Sequence, residues 1–143
     1  MADTLSRAER SFRMSLVRGS GNKQTELKLA PILKEHRLSG WRRKARVYGC
    51  PDFVWTKYRV AVFVDGCFWH SCPRHARIPK SRQQFWVPKL ERNRLRDVEV
   101  TRALRKTGWS VIRIWECELG GRSLDRKLRR IHLLIGGDMA SFE

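Results

Sequence analysis

Three residues whose side chains can bind zinc lie close together in one short segment of the chain. Cys67, Cys72 and His75 follow the spacing Cys-x4-Cys-x2-His, and Cys117 can add a fourth ligand from a distant part of the sequence. Four such ligands satisfy the tetrahedral coordination of Zn²⁺, and a complete set of four is typical of a structural ion. The alternative is that the thiols pack as small apolar side chains in a core. We expect the zinc site, because the spacing of Cys72 and His75 is typical of zinc ligands.

Two carboxylates could meet at one edge of a predicted sheet. Pro51-Asp52-Phe53 opens one predicted strand, and Asp65 ends the next. Such a pair suits Mg²⁺, which prefers oxygen ligands and takes one or two protein carboxylates together with substrate phosphate oxygens. A bound Mg²⁺ favours phosphodiester hydrolysis, since it acts as a Lewis acid and lowers the pKa of its water. The alternative is that Asp52 is only a turn residue after a proline.

An imidazole and two adjacent aromatic rings lie between Cys67 and Cys72. His70 can take or give a proton near neutral pH, and a nearby zinc ion would fix its position. Phe68 and Trp69 could form an apolar wedge that enters a base stack, where unstacking costs least at a mismatched pair. The alternative is that these rings are core residues. Two adjacent residues at the end of a strand cannot both point into the same core, which favours the wedge.

The composition indicates a folded, DNA-binding protein of one domain. The 143 residues include 31 Lys or Arg and 14 Asp or Glu, which gives a net charge of +17 and a pI near 11.0. This charge indicates a polyanionic partner, and nucleic acid is the first candidate. Six Trp, six Phe and 41% hydrophobic residues exclude a disordered basic tail. No apolar run approaches the roughly 18 residues of a spanning helix, so we expect no membrane association.

Hydrophobic patterning predicts a mixed α/β sheet flanked by helices, because the predicted order is helix, three strands, helix, strand, helix. We expect residues 1–22 to form an N-terminal arm and residues 23–143 to form a single domain. The predicted helices span Gln24 to His36, Gln84 to Lys106 and a segment from Ser123, and the predicted strands span Trp41 to Tyr48, Asp52 to Thr56, Arg59 to Asp65 and Trp109 to Trp115.

The second predicted helix carries an excess of positive charge. Between Arg74 and Lys106 there are 11 Lys or Arg residues and three acidic residues. A charged helix is often only a solvated face, but charge of one sign is what phosphate contacts require. Lys89 and Asn93 lie four residues apart on one face of this helix, close enough to contact the same base pair.

Together these motifs resemble the very short patch repair (Vsr) endonucleases. The resemblance covers Ser6 to about Leu119, and Gly66-Cys67-Phe68-Trp69-His70 is its most specific part. It implies a nuclease core of the PD-(D/E)xK type and a nick beside a T:G mismatch in double-stranded DNA. It also implies Mg²⁺ as the catalytic metal and Zn²⁺ as the structural metal. The other segments that carry it are Pro51-Asp52-Phe53, Val62 to Asp65, Phe85-Trp86, Lys89, Asn93 and Asp97, Gly108-Trp109, and Trp115-Glu116-Cys117.

The resemblance also implies roles for individual residues. Asp52 would be the essential metal-binding carboxylate, and the backbone carbonyl of Val64 would be a further ligand. Glu26 would order water around the metal. His70 would orient or deprotonate the attacking water, or support the metal from outside its ligands. The implied zinc ligands are Cys67, Cys72, His75 and Cys117, and the implied DNA contacts are Met14 in the N-terminal arm, Phe68, Trp69, Lys89 and Asn93.

Asp65 departs from the family pattern. The best-known members have a His at this position, so the catalytic groups here could be two carboxylates and one His. A second metal ion or a different pH optimum could follow. The segment after Leu119 does not match the family, so the preferred DNA sequence around a mismatch does not transfer.

Two other functions stay open from the sequence. One is a nuclease of the same fold, of a homing or defence type, that cleaves a specific site without a mismatch. The other is a zinc-stabilised DNA-binding module without catalysis. Four residues argue against it, namely Asp52, Asp65, Glu26 and His70. We expect a monomeric, cytoplasmic protein that acts on double-stranded DNA at the prokaryotic nucleoid.

Overall fold

A three-stranded mixed sheet forms the centre of the protein. The structure is a computed structural model, and it describes residues 6, 8, 25–75 and 77–136. The strands β1 (Phe53–Trp55) and β2 (Val60–Asp65) are antiparallel, and a single 3₁₀ turn at Thr56–Tyr58 joins them. The third strand, β3 (Ser110–Trp115), lies parallel to β2, so the sheet order is β1-β2-β3.

Two helices cover one face of the sheet. These are α1 (Glu26–Glu35) and α3 (Arg122–Leu134). Side chains alternate between the two faces of a strand, so β2 and β3 send every second residue into this main core. The main core contains Leu29 and Leu33 of α1, Leu124, Leu128 and Ile131 of α3, and Phe53, Trp55, Val60, Val62, Val64, Ile112 and Ile114 of the sheet.

The long helix α2 (Gln83–Lys106) covers the other face of the sheet. It makes the crossover that a parallel pair of strands requires. A smaller core here joins Val100 and Leu104 of α2 to Ala61, Phe63 and Val111 of the sheet. Further along β2 and β3 the same face carries Asp65 and Arg113, and the facing side of α2 carries Asn93 and Asp97. This layer therefore changes from apolar to charged toward the carboxyl end of β2, and the charged end contains the candidate site.

Most of the elements predicted from sequence are confirmed, but the strand at Trp41 to Tyr48 is wrong. Only Arg42 in this segment pairs with a strand, as an isolated antiparallel bridge to Val54. Lys44 has a φ of +56°, a conformation that interrupts an extended strand. The predicted α/β architecture is nevertheless confirmed. Within the described residues the order is helix, two strands, helix, strand, helix.

The proposed arm at residues 1–22, including Met14, lies outside the described residues apart from residues 6 and 8. In the part of the chain that the structure describes, no helix combines the length and apolar character needed to cross a membrane.

Candidate active site and metal centre

A cavity of about 480 Å³ opens where β2 ends. Six parts of the fold contribute to its wall: the first turn of α1, the loop before β1, the end of β2, the loop after β2, α2 and β3. This position explains why residues distant in sequence meet here, because each element delivers its side chain at the same edge of the sheet. The ionisable side chains in the wall are Glu26, Cys50, Asp52, Asp65, His70, Arg96, Asp97 and Arg113.

Asp52 is held at the start of β1 by backbone contacts to β2. Its N–H donates to the carbonyl of Val62 at 3.0 Å, and its Oδ2 accepts from the N–H of Val64 at 2.7 Å. Burial raises the pKa of Asp52 to about 6, and the negative charges of Glu26 and Asp65 act in the same direction. The positive charge near the Asp52 carboxylate is therefore too small to balance its burial and the neighbouring negative charges. A cation at this point would relieve that deficit, so the site fits the chemistry of a hard divalent metal.

The loop that carries Asp52 packs tightly against α2. Gly49 has a φ of +80°, and a side chain at this position would come within 2.2 Å of Cγ1 of Val100. A residue with a side chain would thus push this loop away from the helix. Gly49 keeps Asp52 close to the α2 residues of the cavity.

Glu26 lies in the first turn of α1 and is buried. The guanidinium Nη2 of Arg43 donates to its Oε2. Arg43 also lies 5.9 Å from the ring centre of Phe53. Glu26 therefore lines the same cavity as Asp52, and its role in ordering water around a metal stays a prediction.

His70 pairs with a residue of α2. Its Nδ1 lies 2.5 Å from Oδ2 of Asp97 and 3.8 Å from Oδ1 of Asp65. Burial alone would lower the pKa of His70, but the hydrogen bond to Asp97 and the charges of both carboxylates outweigh it and raise the pKa. Since Asp97 occupies Nδ1, the ring is oriented and Nε2 is the nitrogen left for proton transfer.

Two residues of this site, Asp97 and Arg113, are assigned no function by the sequence prediction, although Asp97 is among the residues that carry the family resemblance. Arg113 donates from Nη1 to both oxygens of Asp65, at 3.0 Å each. A signal for both residues is present in the sequence. Asp97 interrupts the buried stripe of α2, and Arg113 interrupts the apolar run of β3. A charged residue on a buried face requires a partner, and this requirement could have identified them.

The four predicted zinc ligands come together beside the cavity. The ligand atoms of Cys67, Cys72, His75 and Cys117 all lie within 4.8 Å of one another. Sγ of Cys72 is 3.7 Å from Sγ of Cys117 and 3.9 Å from Nδ1 of His75. Tetrahedral Zn²⁺ with Zn–S bonds near 2.3 Å places two sulfurs roughly 3.8 Å apart. The spacing therefore fits a tetrahedral metal with thiolate and imidazole ligands.

The thiol environment is consistent with such a cluster. Burial opposes ionisation of Cys72, but hydrogen bonds from the backbone of Arg74 and from His75 outweigh it and lower its pKa to about 6. Burial raises the pKa of Cys67 to about 12. The thiol of Cys72 thus ionises readily, while that of Cys67 keeps its proton. A bound metal would displace the proton of Cys67.

The predicted wedge residues belong to an aromatic cluster on the outside of this loop. The rings of Phe68 and Trp69 are 5.1 Å apart, and Trp86 lies 5.3 Å and 6.0 Å from them. Phe85 stacks edge-on against Trp86 at 5.0 Å. Phe68 and Trp69 are both half-buried. Both rings pack against Trp86, and part of each ring stays accessible to solvent.

The two predicted base-contacting residues lie at the aromatic cluster. Nζ of Lys89 is 5.7 Å from the ring centre of Trp69 and 5.3 Å from that of Phe85. Asn93 donates from Nδ2 to the carbonyl of Trp69 at 3.2 Å. Of the predicted DNA contacts, Phe68, Trp69, Lys89 and Asn93 are therefore neighbours, and Met14 lies outside the described residues.

Comparison with known proteins identifies the family. Residues 2–75 match the family model described as DNA mismatch endonuclease Vsr. The chain is 36% identical to the DNA mismatch endonuclease Vsr of Escherichia coli over 123 residues, which cover 85% of this chain and 78% of that protein.

Relatives named as nicking enzymes are similar as well. The chain is 38% identical to the type II nicking enzyme V.XorIIP of Xanthomonas oryzae over 134 residues, 92% of this chain and 97% of that protein. It is 53% identical to the type II nicking enzyme V.NaeI of Lentzea aerocolonigenes over 68 residues, which cover 48% of this chain and only 41% of that relative. With this family match and these relatives, the chain belongs to the Vsr family and is a DNA endonuclease.

Proposed function

We propose that this endonuclease depends on Mg²⁺ and nicks one strand of double-stranded DNA beside a T:G mismatch. The observation that carries the proposal is the meeting of Asp52 and the His70–Asp97 pair in one cavity, beside the half-buried rings of Phe68 and Trp69. A DNA-binding module without catalysis has no need for buried carboxylates in a surface that faces phosphate. Relatives named for mismatch endonuclease and nicking activity support the same conclusion.

Asp52 and the backbone carbonyl of Val64 would hold the Mg²⁺, and Glu26 would order its water. The metal, when bound, supplies Lewis-acid polarisation of the phosphate and a water of lowered pKa. The raised pKa of Asp52 supports this assignment, because the buried charge needs a cation near it. Asp52 lies immediately before β1, and the resemblance to nucleases of the PD-(D/E)xK type implies that it is the metal-binding carboxylate.

His70 would take the proton of the attacking water at Nε2. Asp97 holds Nδ1 at 2.5 Å, which fixes the ring and stabilises its protonated form once the proton has been accepted. Asp65 is the second candidate carboxylate, and it also faces His70 at 3.8 Å. Zn²⁺ at the Cys3His cluster would hold the loop that carries His70 in place.

Mismatch recognition would use the aromatic cluster and the adjacent polar residues. Phe68 and Trp69 would enter the stack at a weakly paired T:G step, and Trp86 would support them from behind. Lys89 and Asn93 would contact the mismatched bases, and Met14 of the N-terminal arm would enter from the opposite groove. The protein would act as a monomer on DNA of the bacterial nucleoid.

The second candidate function is a nick at a specific DNA sequence without a mismatch. The names of several relatives support it, since they are described as type II nicking enzymes. It uses the same catalytic residues and differs only in how the target is selected.

The test compares strand-labelled duplexes that differ only by T:G or T:A at one position. We expect a nick in the T-containing strand of the T:G duplex with Mg²⁺, and none with a chelator or with Asp52→Asn. Equal nicking of both duplexes at one sequence would favour the site-specific nuclease. Binding without any nicking in Mg²⁺ would exclude both proposals.

A further inference from the structure

Arg113 is a cation inside the wall of the catalytic cavity. It lies in β3 between two buried residues, Ile112 and Ile114, and its side chain is 22% exposed. Its guanidinium carbon lies 4.2 Å from the ring centre of Phe63, its pairing partner in β2. The aromatic ring therefore supports the guanidinium from below and leaves its N–H groups to point sideways.

All three nitrogens of the guanidinium have partners on two different elements. Nε donates to Oγ1 of Thr101 at 2.8 Å, and Nη2 donates to the carbonyl oxygen of Asp97 at 3.2 Å, both in α2. Nη1 donates to both oxygens of Asp65 in β2, at 3.0 Å. A planar group with donors in fixed directions can make these bonds together only if α2 and β2 keep this spacing.

Both carboxylate oxygens of Asp65 are hydrogen-bonded to Arg113. The side chain of Asp65 is only 5% exposed, and both of its oxygens accept from the same nitrogen. Its Oδ1 is 3.8 Å from Nδ1 of His70, beyond hydrogen-bond length, whereas Asp97 meets that nitrogen at 2.5 Å. The carboxylate that orients His70 is thus Asp97, and the backbone of Asp97 is itself held by Arg113.

We propose that Arg113 is a positioning residue of the active site, which holds Asp65 as an internal counter-ion and sets Asp97 against His70. Asp65 then neutralises the charge of Arg113 and does not bind the catalytic metal. This role presupposes the proposed endonuclease function. It also accounts for an acidic residue at position 65 without a second metal ion, because the negative charge is already neutralised within the protein.

The pair can be tested with a double-mutant cycle in thermal unfolding of the purified protein. The variants are Arg113→Met, Asp65→Asn and the two combined. Arg113→Met leaves a buried carboxylate without its cation, so we expect its melting temperature to fall by roughly 5–10 °C. The double variant should melt above Arg113→Met, because removing both partners leaves no unpaired charge. Additive losses in the double variant would overturn the pairing.

A matched control uses an exposed pair of the same chemistry. Arg94 donates to Glu91 at 2.6 Å and 3.0 Å, and both side chains are 51% exposed. Glu91→Gln, Arg94→Met and their combination should change the melting temperature additively and by only about 2 °C, since exposed pairs contribute little. Coupling as strong as in the buried pair would remove the distinction between them.

Measured metal affinity shows whether Asp65 is a counter-ion of Arg113 or a metal ligand. Mn²⁺, a paramagnetic substitute for Mg²⁺, is titrated into DNA-free protein, and free Mn²⁺ is read by electron paramagnetic resonance. We expect Asp52→Asn to weaken binding about tenfold or more and Asp65→Asn to leave it nearly unchanged. Weakening of tenfold or more by Asp65→Asn would make Asp65 a ligand and overturn the proposal.

Nicking kinetics test the positioning itself. We expect Arg113→Met to lower kcat roughly 10- to 100-fold with little change in KM, since outer partners of a metal site typically contribute this much. Arg113→Lys should recover part of kcat, because an ammonium keeps the charge near Asp65 but cannot make all three bonds. Full kcat in Arg113→Met would overturn the proposal. If wild-type protein nicks no duplex, the proposed function fails, while the unfolding cycle still decides whether Arg113 and Asp65 form a unit.

Discussion

At the scale of single residues, Asp52 links activity to stability. Burial raises its pKa from 3.8 to about 6. The folded protein therefore binds this proton more tightly than the unfolded chain does, and ionisation of Asp52 in the absence of metal destabilises the fold. The loss of stability is absent below pH 3.8, develops as pH rises from 3.8 to about 6, and is complete above that range.

We predict that Asp52→Asn stabilises the protein at pH 8 in chelator while it abolishes nicking. Asn keeps an oxygen that can accept from the N–H of Val64 but carries no charge. The gain should be on the order of 2 kcal/mol, because part of the raised pKa is offset by solvent at this half-buried site. Denaturant unfolding at pH 8 and pH 3 measures it, and the gain should vanish at pH 3, below both pKa values. The control is Asp125→Asn, on the exposed face of α3, and a gain independent of pH would contradict the assignment.

A second residue-scale prediction concerns the pH dependence of nicking. If His70 accepts the proton, the rate rises as pH passes the pKa of His70, which Asp97 raises. Asp97→Asn should therefore move the acidic limb of the pH–rate profile to lower pH and reduce the maximal rate roughly 10- to 100-fold. Glu99→Gln, on the exposed side of α2, should change neither. An acidic limb that stays in place would assign the titration to another group.

Sequence predicts which residues lie close together best where spacing or a motif is local. The Cys and His ligands lie within a few positions of one another, apart from Cys117, and the structure brings all four together. Spacing alone gives Asp97 and Arg113 no partner, although each is a charged residue on a largely buried face. The role of each depends on the register between β2 and β3 and on the face that α2 presents.

At the scale of elements, the loop after β2 carries three of the four residues of the cysteine cluster and contacts α2 through His70 and Trp69. Within this loop the N–H of Cys72 donates to the carbonyl of Cys67 at 2.9 Å, and the N–H of His70 donates to the carbonyl of Gly66 at 3.1 Å. A metal that joins this loop to Cys117 would fix it to the end of β3. The same ion would thereby position both His70 and the aromatic cluster.

We predict about one Zn²⁺ per chain in freshly reduced protein, and loss of that zinc in Cys117→Ser. Because binding of a structural metal contributes to the folding free energy, this variant should also melt at a lower temperature. Elemental analysis and thermal unfolding measure the two effects. Cys50→Ser is the control, since Cys50 lies outside the cluster. Protein without zinc, or equal behaviour of the two variants, would leave the cluster without a metal-binding role.

The aromatic cluster leads to a prediction about mismatch discrimination. Replacing Phe68 and Trp69 together by Ala should reduce the preference for T:G over T:A about tenfold or more, since stacking is worth roughly 1–3 kcal/mol per base. Competitive nicking of both duplexes at fixed salt measures the ratio. Tyr58→Ala removes an exposed ring from the turn between β1 and β2 and should not change it. An unchanged ratio in the double variant would transfer mismatch reading to Lys89 and Asn93.

The strand predicted at Trp41 to Tyr48 is wrong because periodicity does not show whether a pairing partner is present. The segment from Trp41 to Tyr48 alternates in burial as a strand does. Strand pairing requires a partner along its whole length, and β1 has only three residues. The segment therefore forms a single bridge and otherwise covers the sheet edge, where Trp41 packs against Phe53 at 4.9 Å. By contrast, β2 is buried at every position, and its apolar run identifies it without context.

At the scale of the whole molecule, the net charge of +17 should make DNA binding strongly dependent on salt. The positive charge is not confined to the cavity. Exposed Arg and Lys residues cover α2, α3 and the turn between β1 and β2. Only those that meet phosphate should contribute to the slope of affinity against salt.

We predict that Arg92→Gln combined with Arg96→Gln lowers the slope of log K against log [salt] by up to about 1.8, which corresponds to two phosphate contacts. The two residues lie one turn apart on α2, and Arg96 lines the cavity. Lys57→Gln combined with Lys106→Gln removes the same charge at the opposite end of the sheet and should leave the slope unchanged. Fluorescence anisotropy of a labelled duplex between 50 and 200 mM salt, roughly the range over which such affinities fall steeply, measures both. Equal slopes for both variants would indicate binding through overall charge alone.

The position of the cysteine cluster in the chain also bears on how the protein folds. Parallel pairing of β2 and β3 requires the chain to close a long crossover before any contact between the strands is made, and such closure slows folding. Cys72 follows β2, Cys117 follows β3, and the two lie 45 positions apart. A zinc ion bound by the unfolded chain would close the same loop that the strands must close, and its closure entropy would be lost before the sheet forms. The metal would then act as a folding nucleus, so a zinc-loaded chain would reach the parallel register faster than a zinc-free one.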